Sequence, residues 1–250
     1  MSLKGKVVII TGASAGIGAA IAIEFSKKNS DVILVGRNET RLNEVAMQCE
    51  ANGCYPTVIN ADITIDSEAA RVIQETVKKF NKIDILINNA GILRKSSLID
   101  GSFLEAFDEI LKLNLRAAVN LVNLATPHLI ASKGNIVNIS GVAGRQILGV
   151  DYAAYSMLKA SLDHFTRGAA LEVGKYGVRV NTVSPGPVKT EIYDGASITI
   201  GQAKATLKTA LNRWSYPEEI ADVVLFLASD KAVGVTGSNY TVDNGLLVMK

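Results

Sequence analysis

The sequence predicts an α/β fold, a doubly wound parallel sheet of about seven strands with helices on both faces. Short β-branched apolar runs alternate with helical patterns along the whole chain. The first of these runs is followed at once by a glycine cluster and then by a helix. Hydrophobic residues make up 48% of the 250 positions, enough for a large core. With no repeat, low-complexity tract or linker, residues 1–250 read as one domain.

Lys6–Ile10 opens the chain as a buried-type strand, because Val7-Val-Ile-Ile10 is an unbroken β-branched run. Thr11-Gly-Ala-Ser-Ala-Gly-Ile-Gly18 turns the chain, and Ile17–Lys28 reads as the first helix. The strands expected next are Asp31–Val35, Pro56–Asn60, Ile83–Ile87, Asn135–Ile139, Arg179–Val183 and Tyr240–Val242. Between them, helical patterns cover Glu39–Ala51, Ser67–Phe80, Phe103–Ala131, Ala154–Lys175 and Pro217–Ala228. Strand-helix alternation of this kind implies right-handed crossovers and a ligand site at the C-terminal ends of the strands. Glu191 to Leu211, rich in Ile, Thr, Ala and Gly, breaks the alternation.

Charge and composition exclude several classes. The net charge is +2 with no long basic run, so nucleic acid is not implied. Cys49 and Cys54 lie five apart without a His or Cys cluster to complete a zinc site, so no metal is expected and free thiols in a reducing compartment are. No apolar run reaches membrane-spanning length and the N-terminal residues do not form a signal peptide, which makes the cytoplasm the default location.

Two segments carry chemistry. Gly12, Gly16 and Gly18 sit between a buried strand and a helix, where small residues let the backbone approach a pyrophosphate and the helix N-terminus offers free N–H groups. The spacing is G-x3-G-x-G rather than G-x-G-x-x-G, and no Lys-Ser or Lys-Thr closes a P-loop. The plain alternative is a tight turn. In the second segment, Tyr155 and Lys159 share one face of a helix. A neighbouring ammonium stabilises a phenolate, and a tuned phenol is what carbonyl reduction or alcohol oxidation needs. Of seven tyrosines, Tyr155 alone has a lysine four residues on.

These segments resemble the short-chain dehydrogenase/reductase family. The resemblance extends through Asp62-Ile63, Asn88-Asn-Ala-Gly91, Asn114, Arg179-Val-Asn181 and Pro185-Gly-Pro-Val-Lys-Thr190, nearly end to end. It implies a Rossmann-like fold and hydride transfer between a nicotinamide and a small uncharged carbonyl or alcohol. Tyr155 would give the proton, while Lys159 would bind the nicotinamide ribose and lower the Tyr155 pKa. Asn114 would hold a water linking the lysine to solvent. For the cofactor, the resemblance implies Gly12, Ser14, Gly16, Ile17 and Gly18 at the pyrophosphate, and Asp62 with Ile63 at the adenine. Asn89, Ala90 and Gly91 would line it past the fourth strand, with Pro185, Gly186, Val188 and Thr190 around the carboxamide. It also implies a substrate lid over 191–211 and a homodimer or homotetramer. Ile147, Leu148, Val150, Ile192 and Tyr193 are candidates for an apolar substrate pocket.

Two positions decide finer questions. The second strand ends in Gly36-Arg37-Asn38, without the acidic residue that binds a ribose diol and repels a 2′-phosphate. A guanidinium at Arg37 pairs with phosphate oxygens, which favours NADP(H), with NAD(H) left open. The family's catalytic serine is the second residue of a pair after the fifth strand. Here that pair reads Ser140-Gly141, so the place falls on Gly141. Ser140 remains the candidate donor if the extra residue before Tyr155 aims it inward. A water or another polar side chain could replace it instead. The alternative function is an NADPH-binding or regulatory protein with impaired catalysis; a methyltransferase would leave Tyr155 and Lys159 unexplained.

Overall fold

The computed structural model describes residues 3–196 and 208–249. Seven strands form one sheet, every neighbouring pair parallel, in the order β3-β2-β1-β4-β5-β6-β7. They are β1 (Val7–Thr11), β2 (Asp31–Gly36), β3 (Thr57–Asn60), β4 (Ile85–Asn88), β5 (Asn135–Ile139), β6 (Arg179–Pro185) and β7 (Asn239–Val242). The helices are α1 (Gly16–Ser26), α2 (Glu39–Glu50), α3 (Asp66–Phe80), α4 (Phe103–Ile110), α5 (Ala118–Ser132), α6 (Ala153–Val173) and α7 (Pro217–Ala228). From β1 the chain winds outward to β3, then crosses back to lay β4 on the other side of β1. The strand order reverses there, and a crevice opens at such a switch point.

The alternation of side chains along each strand splits the core in two. Val8, Ile10, Val32 and Leu34 face α1, α2 and α7, packing with Phe25, Leu42 and Val224. Val7, Ile9, Ile33 and Val35 face the opposite layer and meet Val72, Leu121 and Ala169 from α3, α5 and α6. With both faces covered, the central strands are apolar throughout, which is why they read as continuous runs. Full burial of each such side chain contributes about 1.5–3 kcal/mol.

Element boundaries differ from expectation where a single residue intervenes. Pro56 has no N–H for the ladder, and β3 begins at Thr57. Asp84 keeps β4 from starting before Ile85: its buried carboxylate accepts from the Val7 N–H at 2.9 Å and pairs with Lys82 and Lys6. The long helix expected over Phe103–Ala131 is interrupted by a π-helical stretch, Leu111–Ala117. Cys49 and Cys54 are free and buried, and burial pushes the Cys49 thiol up to about 11. Among the described residues, no helix is long and apolar enough to cross a membrane. Of the segment expected as a lid, Glu191–Ala196 forms a 3-10 turn, and 197–207 lies outside the described residues.

Candidate active site

The strand ends converge on two adjoining hollows. The first is a groove of about 390 Å³ lined by Gly12, Ser14, Gly16, Ile17, Arg37, Asp62, Ile63, Asn89, Ala90, Gly91 and Thr190. The second is a cavity of about 450 Å³ lined by Tyr155, Lys159, Pro185, Gly186, Val188 and Thr190. Ile17, Asn89, Gly91, Leu93, Thr190 and Ile192 border both, so the two are continuous.

The groove's floor requires glycine. At Gly12, φ is +63° and an added Cβ would lie 2.8 Å from the Ala90 Cα. Gly18 does not line the groove; it lies against the turn, where a Cβ would come within 2.2 Å of the Gly12 carbonyl oxygen. Thr11 and Asn89 lock the ends of β1 and β4 together. The Thr11 hydroxyl accepts from the Asn89 and Ala90 N–H groups at 3.0 and 3.1 Å, and the Asn89 amide donates back to the Thr11 and Gly12 carbonyls. Helix α1 starts with Ala15 extended and no side chain capping it, leaving first-turn amides for an anion. A Cβ at Gly16 would intrude to 3.1 Å from the Thr190 methyl across the groove. The cradle and the open helix end therefore fit a dinucleotide.

The adenosine end is less simple than the spacing implied. Asn38 caps α2, its side-chain oxygen accepting from the Arg41 N–H at 3.1 Å. With Ser14 and Arg37 it borders a shallow recess beside the groove. Arg37 is two-thirds exposed and leans toward Asp62 at 3.9 Å. Burial works to raise the Asp62 pKa, but hydrogen bonds from Thr64 and the Arg37 charge hold it below the usual carboxylate range. Arg41 and Glu191, which the sequence did not single out, meet across the rim at 2.6 Å. They join the start of α2 to the turn after β6.

In the cavity, Tyr155 and Lys159 lie one helical turn apart on α6. The Lys159 ammonium donates to the Ile139 carbonyl at 2.9 Å and lies 5.5 Å from the centre of the Tyr155 ring. Burial brings the Lys159 pKa down to about 8, opposed by the Asp163 charge. For Tyr155, burial dominates and pushes the phenol far up, with Tyr193 adding to it. The lowering expected from Lys159 does not enter this balance; its ammonium is engaged by the Ile139 carbonyl.

Asn114 sits inside the π-helical stretch and is buried. Its amide clamps the main chain after β4, accepting from the Ile92 N–H at 2.9 Å and donating to the Ile92 carbonyl at 2.8 Å. A polar ladder under the site was not foreseen. Asn88 donates to Asn138, Asn138 to Thr166, and the Thr182 hydroxyl also meets Thr166, each at 2.9 Å. It ties three strands to α6 below Tyr155; asparagines within otherwise apolar strands were its one sequence signal.

Ser140 requires a correction. Its hydroxyl turns toward α6, shared between the Lys159 carbonyl at 3.2 Å and the Asp163 carboxylate. Gly141 is the position beside the phenol: a Cβ built there lies 3.9 Å from the Tyr155 oxygen. Adjacent residues on an extended chain point oppositely, so Ser140 borders the cavity while its hydroxyl is engaged by α6. Of the expected pocket residues, Leu148, Val150, Ile192 and Tyr193 line the cavity, whereas Ile147 is exposed and outside the lining.

A parallel sheet with a glycine cradle at its switch point, and a tyrosine-lysine pair where the groove ends, defines a dinucleotide-dependent class of α/β protein. A family model described as Enoyl-(Acyl carrier protein) reductase matches residues 12–247. The 3-oxoacyl acyl-carrier-protein reductase FabG of Thermotoga maritima is 33% identical over 252 residues, covering 99% of this chain and 100% of that protein. The L-fucose dehydrogenase of Bos taurus is 32% identical over 248 residues, covering 96% of this chain and 89% of that protein. A solved short-chain dehydrogenase from Burkholderia cenocepacia, in complex with NADP, has a TM-score of 0.91 at 29% identity, covering 99% and 100% of the two chains. The chain belongs to the short-chain dehydrogenase/reductase family of oxidoreductases.

Proposed function

We propose that the protein is an NADP(H)-dependent oxidoreductase that interconverts a carbonyl and a secondary alcohol, with Tyr155 as the acid/base. The observation that carries this is the position of Tyr155: its phenol sits in an apolar cavity continuous with the dinucleotide groove. A nicotinamide dinucleotide, when bound, supplies or accepts the hydride. The chain's residues do the rest.

Because burial holds the Tyr155 phenol protonated, it is set to donate to an alkoxide developing on the substrate. Lys159, as an ammonium, would bind the nicotinamide ribose and favour the phenolate left behind. Asn114 acts by holding the main chain after β4 in place through Ile92. Leu148, Ile192 and Tyr193, with the exposed Val150 at the rim, suit an uncharged, fairly apolar substrate. Arg37 would take the adenosine 2′-phosphate, swinging from Asp62 across solvent. The Burkholderia cenocepacia relative solved with NADP supports the same cofactor here. Residues 191–211 would serve as the lid, residues 1–250 as one domain, and association as a homodimer or homotetramer in the cytoplasm.

The test is NADPH oxidation with an acetoacetyl thioester, the carbonyl class named for the Thermotoga maritima relative, alongside L-fucose with NADP⁺. Turnover in the wild type, higher kcat/KM with NADPH than with NADH, and a loss of about 10²–10⁴-fold in Tyr155→Phe support the assignment. Tight NADPH binding without turnover on a wider ketone panel would identify a binding protein instead.

A further inference from the structure

We propose that the Tyr193 hydroxyl is the hydrogen-bond donor to the substrate oxygen, the role that the family's serine would take and that Gly141 leaves open. This rests on the function proposed above and names a further catalytic residue for it. Tyr155 still delivers the reaction's proton; Tyr193 donates a hydrogen bond only and ends each turnover unchanged.

The vacancy is real in three dimensions. Beside the Tyr155 phenol stands Gly141; Ser140 borders the same cavity, but its hydroxyl donates to the Lys159 carbonyl at 3.2 Å and faces the Asp163 carboxylate. An alkoxide forming in a cavity with these apolar walls needs a second donor besides Tyr155.

Tyr193 lines the same cavity. It is buried, at 9% exposure, in a cluster with Leu93, Ala196 and Trp214, and Tyr155 packs against that same cluster. Its ring is held by Trp214, with centroids 5.3 Å apart, so the hydroxyl is placed by packing. The Val188 N–H donates toward the phenol oxygen, which leaves the phenol's own proton free to point into the cavity. Val188 is in turn fixed by a bridge to Ser215: Lys189 N–H to the Ser215 carbonyl and Ser215 N–H to the Pro187 carbonyl, both at 3.0 Å. Burial pushes the Tyr193 pKa up to about 12, so it remains a neutral donor across the working range.

Tyr193→Phe keeps the ring and its packing on Trp214 and removes only the hydroxyl. With NADPH and an acetoacetyl thioester, kcat and kcat/KM should fall together by about 10²–10³-fold, with NADPH affinity unchanged and a modest fall in melting temperature as the buried Val188 N–H loses its acceptor. Gly141→Ser added to Tyr193→Phe should restore much of the rate, because a Cβ at 141 meets nothing closer than 3.8 Å. Full activity in Tyr193→Phe overturns the proposal, and so does a loss that Gly141→Ser fails to recover. Tyr155→Phe is run in parallel to separate the two levels. If it stays fully active, or the wild type turns over no ketone, the oxidoreductase assignment itself fails and this role falls with it. An inactive Tyr155→Phe beside a fully active Tyr193→Phe removes Tyr193 alone.

Discussion

Burying the Lys159 ammonium beside a carbonyl oxygen carries a free-energy cost that the fold bears for the sake of the site. Its pKa drops from 10.5 to about 8 because burial penalises the charged form. Well above pH 10.5 the lysine is neutral in both folded and unfolded chains, and the penalty is absent. As pH falls from 10.5 to about 8, the unfolded chain takes up the proton first, and folded stability declines by linkage. Lys159→Met should therefore gain stability relative to the wild type as pH falls through that window, while losing turnover. Melting curves of both proteins across it check this; a stability difference independent of pH would contradict it. Four-residue spacing on a helix fits an ordinary exposed pair as well; Tyr155 and Lys159 were singled out because no other of the seven tyrosines has a lysine at that spacing and because the surrounding motifs occur in the same order. The direction of the Tyr155 shift was not legible, since it depends on walls contributed by residues far away in the chain. Gly141 was legible as the empty place, but a role for Tyr193 beyond lining the pocket was not, because no spacing links two residues that line one cavity from distant parts of the chain.

At the level of elements, the strands and helices followed from periodicity, and the misses cluster where one residue redirects the backbone. The π-helical stretch at Leu111–Ala117 leaves no trace in composition, because its apolar pattern is that of an ordinary helix. What the sequence did show was Asn114 set among leucines, a polar group that needed a partner. The partner proved to be the Ile92 main chain, reached by two hydrogen bonds of 2.8 and 2.9 Å. Asn114→Ala leaves the Ile92 amide and carbonyl unpaired, at a cost of about 1–3 kcal/mol. For a chain of this size that is a fall of roughly 2–4 °C in melting temperature for each kcal/mol. Calorimetry measures it, and an unchanged melting temperature would show that Asn114 does not hold this connection.

Across the whole molecule, the sheet order places the ends of β1, β4, β5 and β6 side by side, and the glycine turn, residues 89–91, Tyr155, Lys159 and residues 185–190 come to that one edge, whereas residues 179–181 form the opposite end of β6. Parallel topology makes this automatic: each strand delivers its C-terminal loop to the same side, so motifs more than a hundred residues apart become neighbours. The two hollows are one continuous space, with the glycine turn at one end and the half-buried Tyr155 at the other. The most direct measurement of what that space does is isotope transfer. Protein, an acetoacetyl thioester and NADPH deuterated at the reactive nicotinamide carbon are mixed, and the product is examined by mass spectrometry. One deuterium on the new carbinol carbon, formed by the wild type and reduced by about 10²–10⁴-fold in Tyr155→Phe, is the expected result. Product without deuterium, or equal transfer by Tyr155→Phe, would contradict the account.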